Sequence, residues 1–334
     1  MRPTIYTYGI IGSLLAMATG FTGCDSVLGD DIPTEPENII QLNTTTRSLE
    51  STSNDTETAI PGTVFLWTTE QEFRGTPYYI SNIADLNANT KYNTGKPYPA
   101  DGSNVYATGY SPVTDINCSS DRKTLTTTKG GEIDVCAAKT ITGSINATFD
   151  EKTPLVFEHT LTKVTFKALR EITMEGNWVA GNIKVTIPDK YLPATWKWES
   201  DTYKVQNDTR GENLSYIYGH SLTNVDEAYE IGVAYLNLNN VINKTILTDL
   251  TLDAELRRPQ ASETEVQKKH WVLAGIQLND EKGNPVRDVL PGEAYQVIFR
   301  FSNDSFTLEA RKQPWTNGGI ITIPIDPEGG SNKK

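Results

Sequence analysis

Leu290-Pro-Gly-Glu-Ala-Tyr-Gln-Val-Ile-Phe-Arg-Phe301 is followed by Phe306 to Ala310, then by Gln313-Pro-Trp-Thr-Asn-Gly-Gly319 and by Ile320-Ile-Thr-Ile-Pro-Ile325. Tyr295, Val297, Phe299 and Phe301 alternate with polar or smaller residues, as do Phe306, Leu308 and Ala310. A period of two predicts strands with one buried face. Asn303-Asp304 between them reads as a tight turn. In the third run Ile321, Ile323 and Ile325 share a face, and Pro324, which lacks an N–H, predicts one unpaired edge. A terminal strand with a free edge can pair with another molecule.

The same alternation recurs upstream, and no long helical period competes with it. Ile183-Lys-Val-Thr-Ile187, Ile231-Gly-Val-Ala-Tyr235, Leu250 to Leu256 and Val272 to Leu278 read as strands. So do Thr63-Val-Phe-Leu-Trp67, Tyr78 to Ile80, Val105 to Tyr110, Ile133 to Val135 and Ile141 to Phe149. Gly, Pro and Asn clusters separate them, such as Asn93-Thr-Gly-Lys-Pro-Tyr-Pro-Ala-Asp-Gly102 and Asn279-Asp-Glu-Lys-Gly-Asn284. The fold class is all-β. Polar Asp150-Glu-Lys-Thr153 predicts a boundary between a body at 59–149 and a second at 154–326, with a tail at 327–334.

Leu155, Phe157, His159 and Leu161 share one parity, and Val164, Phe166 and Ala168 the other. If both sets face one core, a β-bulge falls near Thr162 or Lys163. His159 then sits on the buried face, where it is either a hydrogen-bonded core residue or a catalytic base or ligand; the first is far commoner for a lone strand histidine.

The first residues predict the compartment. Arg2 precedes an apolar stretch from about Ile10 to Phe21, short of the ~20 residues that span a bilayer, and it ends in Phe21-Thr-Gly-Cys24. Residues 1–23 therefore read as a secretory leader. Small residues before a cysteine resemble the bacterial lipobox, in which that thiol is acylated, so Cys24 is the expected lipidated first residue; an ordinary cleaved signal is the alternative. Residues 24–58 are polar and acidic, and Thr44-Thr-Thr-Arg-Ser48 reads as accessible, unfolded chain. Within this tether Asn38-Ile-Ile-Gln-Leu-Asn43 could form a short strand with Ile40 and Leu42 on one face.

The 334 residues carry a net charge of -12, which argues against nucleic acid and an anionic membrane surface as partners. After Cys24 only Cys118 and Cys136 remain. In an oxidising compartment they either close a disulfide or stay as two buried free thiols, which spacing alone does not decide. No metal-spaced cysteines, H-E-x-x-H, nucleophile elbow, P-loop or dinucleotide fingerprint occurs. Neither a cofactor, a metal nor catalytic residues are expected. Asp280 and Glu281 lack the ladder of a calcium loop and read as a solvated turn. Trp178, Trp196 and Trp198, with Tyr191 and Tyr203, form an aromatic-rich region that is either β-sheet core or a sugar-stacking platform.

In their joint order, several short motifs resemble the fimbrillin family, the type V pilins of the bacterial outer surface. They are the lipobox leader, a polar segment with an arginine, Val105-Tyr-Ala-Thr-Gly-Tyr-Ser-Pro112, Val156-Phe-Glu-His-Thr-Leu-Thr-Lys-Val164, Leu290-Pro-Gly-Glu-Ala-Tyr295 and Trp315-Thr-Asn-Gly318. The resemblance implies two β-sandwich domains of transthyretin-like topology in an outer-membrane lipoprotein precursor. An arginine-specific surface protease would remove the N-terminal strand, and a neighbouring subunit's strand would fill the groove. Carried to this chain, Cys24 is the acylation site and Arg47 to Ser48 the cleavage site, with Arg74 the alternative. Ile40 and Leu42 lie in the removable strand, and Ile321, Ile323 and Ile325 in the donor, unless an internal strand is donated. The implied partners are other pilus subunits and a host glycan or protein. Stalk, tip and lipidated basal anchor stay open, and a monomeric glycan-binding surface lipoprotein is the rival.

Overall fold

The computed structural model describes residues 38–47, 60–68, 77, 79–86, 91–171, 178–225, 227–258, 266–302 and 305–315. The leader with Cys24, as well as Ser48, Arg74, the Asn303-Asp304 turn, the run from Ile320 to Ile325 and the tail, lie outside them.

The first strands are β1 (Ile39–Leu42), β2 (Thr44–Arg47), β3 (Gly62–Trp67), β4 (Tyr79–Ile83), β5 (Tyr92–Pro97) and β6 (Val105–Ser111). Next come β7 (Asn117–Cys118), β8 (Thr124–Thr126), β9 (Cys136–Ala138), β10 (Ile141–Gly143), β11 (Leu155–His159) and β12 (Thr162–Arg170). Then follow β13 (Val179–Ile187), β14 (Thr195–Glu199), β15 (Thr202–Val205), β16 (Leu214–Ser221), β17 (Ala228–Leu236) and β18 (Ile246–Leu247). The last are β19 (Leu250–Arg257), β20 (Gln267–Leu273), β21 (Ile276–Gln277), β22 (Ala294–Ser302) and β23 (Ser305–Gln313). Among the described residues helical backbone is confined to 3-10 turns at Asp189–Tyr191 and Leu238–Asn240. The fold is all-β.

The stretch that predicted the fold forms an antiparallel hairpin, β22 with β23, in the register Phe301 opposite Phe306, Phe299 opposite Leu308 and Val297 opposite Ala310. Tyr295, Val297, Phe299 and Phe301 are buried in one core with Val164 and Phe166 of β12, Ile183 and Val185 of β13, and Leu252 of β19. Two four-stranded sheets, β17-β12-β22-β23 and β16-β13-β19-β20, share that core. Each such side chain removed from water contributes about 1.5–3 kcal/mol.

The other large sheet runs β2-β11-β9-β6-β3-β4, with β10 beside β6. Every residue of β3 is buried, because both faces of this sheet are covered. Val64 and Leu66 join a core with Ile40, Leu42, Val105 and Phe157, while Phe65 and Trp67 face a second core with Leu125, Trp196 and Tyr203. The second core is closed by the sheet β15-β14-β8-β7. At Gly109 of β6 a Cβ would fall 2.3 Å from the Thr63 main-chain oxygen, so the close pairing of β6 with β3 demands glycine.

Four expectations are corrected. The polar Asp150 to Thr153 stretch is a turn, the Asp150 carboxylate accepting the N–H groups of Lys152 and Thr153 at 2.8 and 3.0 Å, and not a division between bodies. After it β11 returns to pair with β9, and still later β14 pairs with β8, so residues beyond 154 build part of the first set of sheets. No bulge lies at Thr162 or Lys163: the parity change arises because β11 and β12 belong to different sheets, and the irregularity of β12 falls between Phe166 and Lys167. Of the cluster Asn93 to Gly102, read as a connection, Asn93 to Pro97 belong to strand β5. Thr44 to Arg47, read as unfolded chain, is strand β2.

Candidate functional site

The N-terminal strands occupy a slot between two strands that come from distant parts of the chain. β1 pairs antiparallel with β5, Leu42 opposite Tyr92 and Gln41 opposite Asn93, and β5 has no other sheet partner among the described residues. The register shifts between Ile39 and Gln41, where the Thr94 hydroxyl donates to the Ile40 main-chain oxygen at 2.8 Å. Gly95, at φ 66, makes the local bend that brings this hydroxyl round. Beyond the shift the Tyr98 N–H donates to the Asn38 oxygen at 3.0 Å.

At Asn43 the chain leaves β5. Its main-chain oxygen accepts the Leu155 N–H at 2.8 Å, and β2 then runs parallel to β11 with Thr44 opposite Leu155 and Arg47 opposite Glu158. β2 is the edge of the large sheet, so its outer side has no strand partner among the described residues. The Asn43 side-chain nitrogen is buried without a hydrogen-bond partner there.

Ile40 and Leu42 are 0% exposed and pack into the core that holds Leu155, Phe157, Val105, Ile83 and Phe149. Removing them would uncover two apolar sockets and two ladders of backbone groups at once. The apolar part alone is worth about 3–6 kcal/mol for two side chains.

The two cysteines do not meet, which corrects the disulfide alternative. Cys136 faces the core of Ile40 and Leu42, whereas Cys118 packs against the core of Phe65 and Trp196 on the other side of the sheet. Both are free thiols. Burial pushes the Cys136 thiol well up and the half-buried Cys118 thiol up.

His159 is buried at the end of β11. Its Nδ1 lies 2.7 Å from Asp134 Oδ2 and 3.2 Å from Cys136 Sγ. The indole of Trp315, carried in just beyond β23, lies over the imidazole with ring centroids 3.9 Å apart. Carboxylate and thiol approach the same ring nitrogen, so they do not form a nucleophile–base–carboxylate relay, which needs both nitrogens. Sequence reasoning placed His159 on the buried face and gave no sign of Asp134. Cys136 and His159 are 23 positions apart, and only the register of β9 with β11 sets them opposite.

The aromatic region of the glycan alternative is core rather than platform. Trp196 is fully buried, its indole N–H donating to Thr160 Oγ1 at 2.9 Å, and half-buried Trp198 packs edge-on against Trp67 and Tyr203.

No family model matches the chain, and no curated protein matches it by sequence. Solved structures do. A fimbrial protein from Bacteroides vulgatus superposes with a TM-score of 0.51 at 14% identity, covering 83% of this chain and 99% of that one. A candidate cell adhesion protein from Bacteroides uniformis gives a TM-score of 0.50 at 13% identity, covering 85% and 100%. The chain thus shares its fold with Bacteroides proteins described as fimbrial and cell-adhesive, in keeping with the fimbrillin resemblance of its sequence.

Proposed function

We propose that this chain is a structural subunit of a cell-surface fimbria with a role in adhesion. It is exported as a precursor acylated on Cys24 and held to the outer membrane. A surface protease specific for arginine cuts between Arg47 and Ser48, and β1 and β2 leave together. A neighbouring subunit's strand, with Ile321, Ile323 and Ile325 on its buried face, then enters the vacated slot and makes the subunit part of a fibre.

One observation carries the reading: Ile40 and Leu42, fully buried, lie in a short N-terminal strand that is the sheet partner of β5 among the described residues and continues into the edge strand β2. Apolar sockets and unpaired N–H and C=O groups are costly in water, so the cut chain has a strong drive to take up another strand. The likeness in fold to a fimbrial protein supports the same reading.

The test is the N-terminal sequence and intact mass of protein sheared from cells, run beside a purified form starting at Ser48 on an unboiled denaturing gel. A start at Ser48 with a ladder of oligomers is expected. A lipidated start at Cys24 with no ladder would overturn polymerisation and leave a basal anchor or a monomeric surface lipoprotein.

A further inference from the structure

Antiparallel pairing puts Cys136 directly opposite His159, and Asp134, two residues earlier, on the same side. The Thr160 N–H donates to the Val135 main-chain oxygen at 3.0 Å, and its hydroxyl donates to the same oxygen at 2.6 Å, so the ends of the two strands are clamped where these side chains project. The result is three donor atoms of different chemistry converging on one point. Asp134 Oδ2 is 2.7 Å and Cys136 Sγ 3.2 Å from His159 Nδ1, and Sγ and Oδ2 are 3.9 Å apart.

One ring N–H cannot serve both neighbours well, and the other carboxylate oxygen, Asp134 Oδ1, is buried without a hydrogen-bond partner among the described residues. A buried acceptor left in that state is costly and calls for an unseen partner. Atoms bound to one tetrahedral zinc at about 2.0–2.3 Å stand roughly 3.3–3.6 Å from one another, so small rotations of Asp134 and Cys136 suffice to admit an ion.

We propose that Asp134, Cys136 and His159 form a binding site for one thiophilic divalent cation of the zinc class, roofed by the indole of Trp315. On binding, the Cys136 S–H bond breaks, its electron pair forms the sulfur–metal bond and its proton passes to solvent. His159 gives the Nδ1 lone pair and keeps its proton on Nε2, and Asp134 gives a carboxylate oxygen. Thiolate and carboxylate together offset the two positive charges, which suits a site where Cys136 and His159 are buried and Asp134 reaches toward solvent. The thiolate selects zinc or cobalt over magnesium or calcium. The bound ion joins β9 to β11, one of the strands lining the slot of β1 and β2, and the ring that covers it comes from the end of β23.

The experiment is a cobalt(II) titration of the purified full chain, reduced with a phosphine, followed by its thiolate-to-cobalt charge-transfer absorption. One equivalent should generate the band, zinc should bleach it, and excess magnesium should not. Cys136→Ser and His159→Gln should abolish it, Asp134→Asn should weaken cobalt affinity about 10–100-fold, and Cys24→Ser and Cys118→Ser should leave it intact. Since a core variant can misfold, the wild-type titration decides by itself. Absence of the band in the folded wild type, or its survival in Cys136→Ser, would overturn the site and leave a hydrogen-bonded core histidine.

Discussion

The main-chain oxygen of Asn43 accepts the N–H of Leu155 at 2.8 Å, the point at which the N-terminal segment changes partners from β5 to β11. One short segment thereby stitches two strands that are otherwise far apart in sequence, and the side chains before the crossing are its anchors.

Truncating those anchors should be costly. Ile40→Ala and Leu42→Ala should each lower the unfolding free energy by about 2–5 kcal/mol, since both are fully buried and each leaves a cavity. Urea denaturation of the single variants measures this. Losses under ~1 kcal/mol, in the range of surface changes, would mean that the strand contributes little to the core.

The segment should also act in trans. Added in excess to protein cut after Arg47, a peptide of residues 38–47 should refill the slot and suppress the oligomer ladder. The same peptide with Ile40→Asp and Leu42→Asp should have no effect, because a carboxylate in either socket is buried without a partner. Equal inhibition by both peptides would speak against socket filling.

The thiols should titrate as two free groups. Iodoacetamide without reductant should label neither Cys136 in the native protein nor fail to label both Cys118 and Cys136 after denaturation, as read by peptide mass. Burial holds the Cys136 thiol protonated well above its ordinary range, so native labelling should stay slow even at mildly alkaline pH. A linked peptide pair would contradict the placement of the two residues on opposite faces of the sheet.

Tyr203 should make stability depend on alkali. Its hydroxyl donates to the Arg122 main-chain oxygen, and burial pushes its pKa far up from 10. Above about pH 10 the unfolded chain gives up this proton while the folded chain keeps it, so folding binds more protons and stability falls as pH rises. Below that range the contribution is complete. Relative to Tyr203→Phe, the wild type should lose about 1.4 kcal/mol more per pH unit above pH 10. Comparing the two proteins cancels the opposing effect of Lys163 and Lys167, whose pKa values burial lowers. Parallel curves would refute the assignment.

Gly109→Ala should destabilise by about 1–3 kcal/mol, because the added carbon meets the Thr63 main-chain oxygen at 2.3 Å and the strand must shift. A thermal midpoint equal to that of the wild type would show that the pairing of β3 with β6 has slack.

Period-two alternation was enough to read the β22–β23 hairpin, because one face of each strand meets a single core. It was less informative for β3, whose two faces are both covered, although its unbroken apolar run marked it as a strand. It failed at β5, where Gly95 and Pro97 are ordinary signs of a loop. That strand exists because β1 lies against it and Thr94 replaces a ladder bond with its side chain. It failed at Thr44 to Arg47 too, since threonines have no apolar pattern to display and the pairing with Leu155 to Glu158 spans more than a hundred positions. The Asp134, Cys136 and His159 cluster was invisible for the same reason: spacing along the chain does not encode register between strands.

The slot of β1 and β2 has a direction. Its occupant runs antiparallel to β5 and parallel to β11, and a strand entered the other way round would invert both hydrogen-bonding patterns. A chain that replaces the native segment keeps both ladders as they are when it runs in the native direction. In the proposed strand exchange, links made through this slot would all point the same way, and the fibre would carry an arrow along its length.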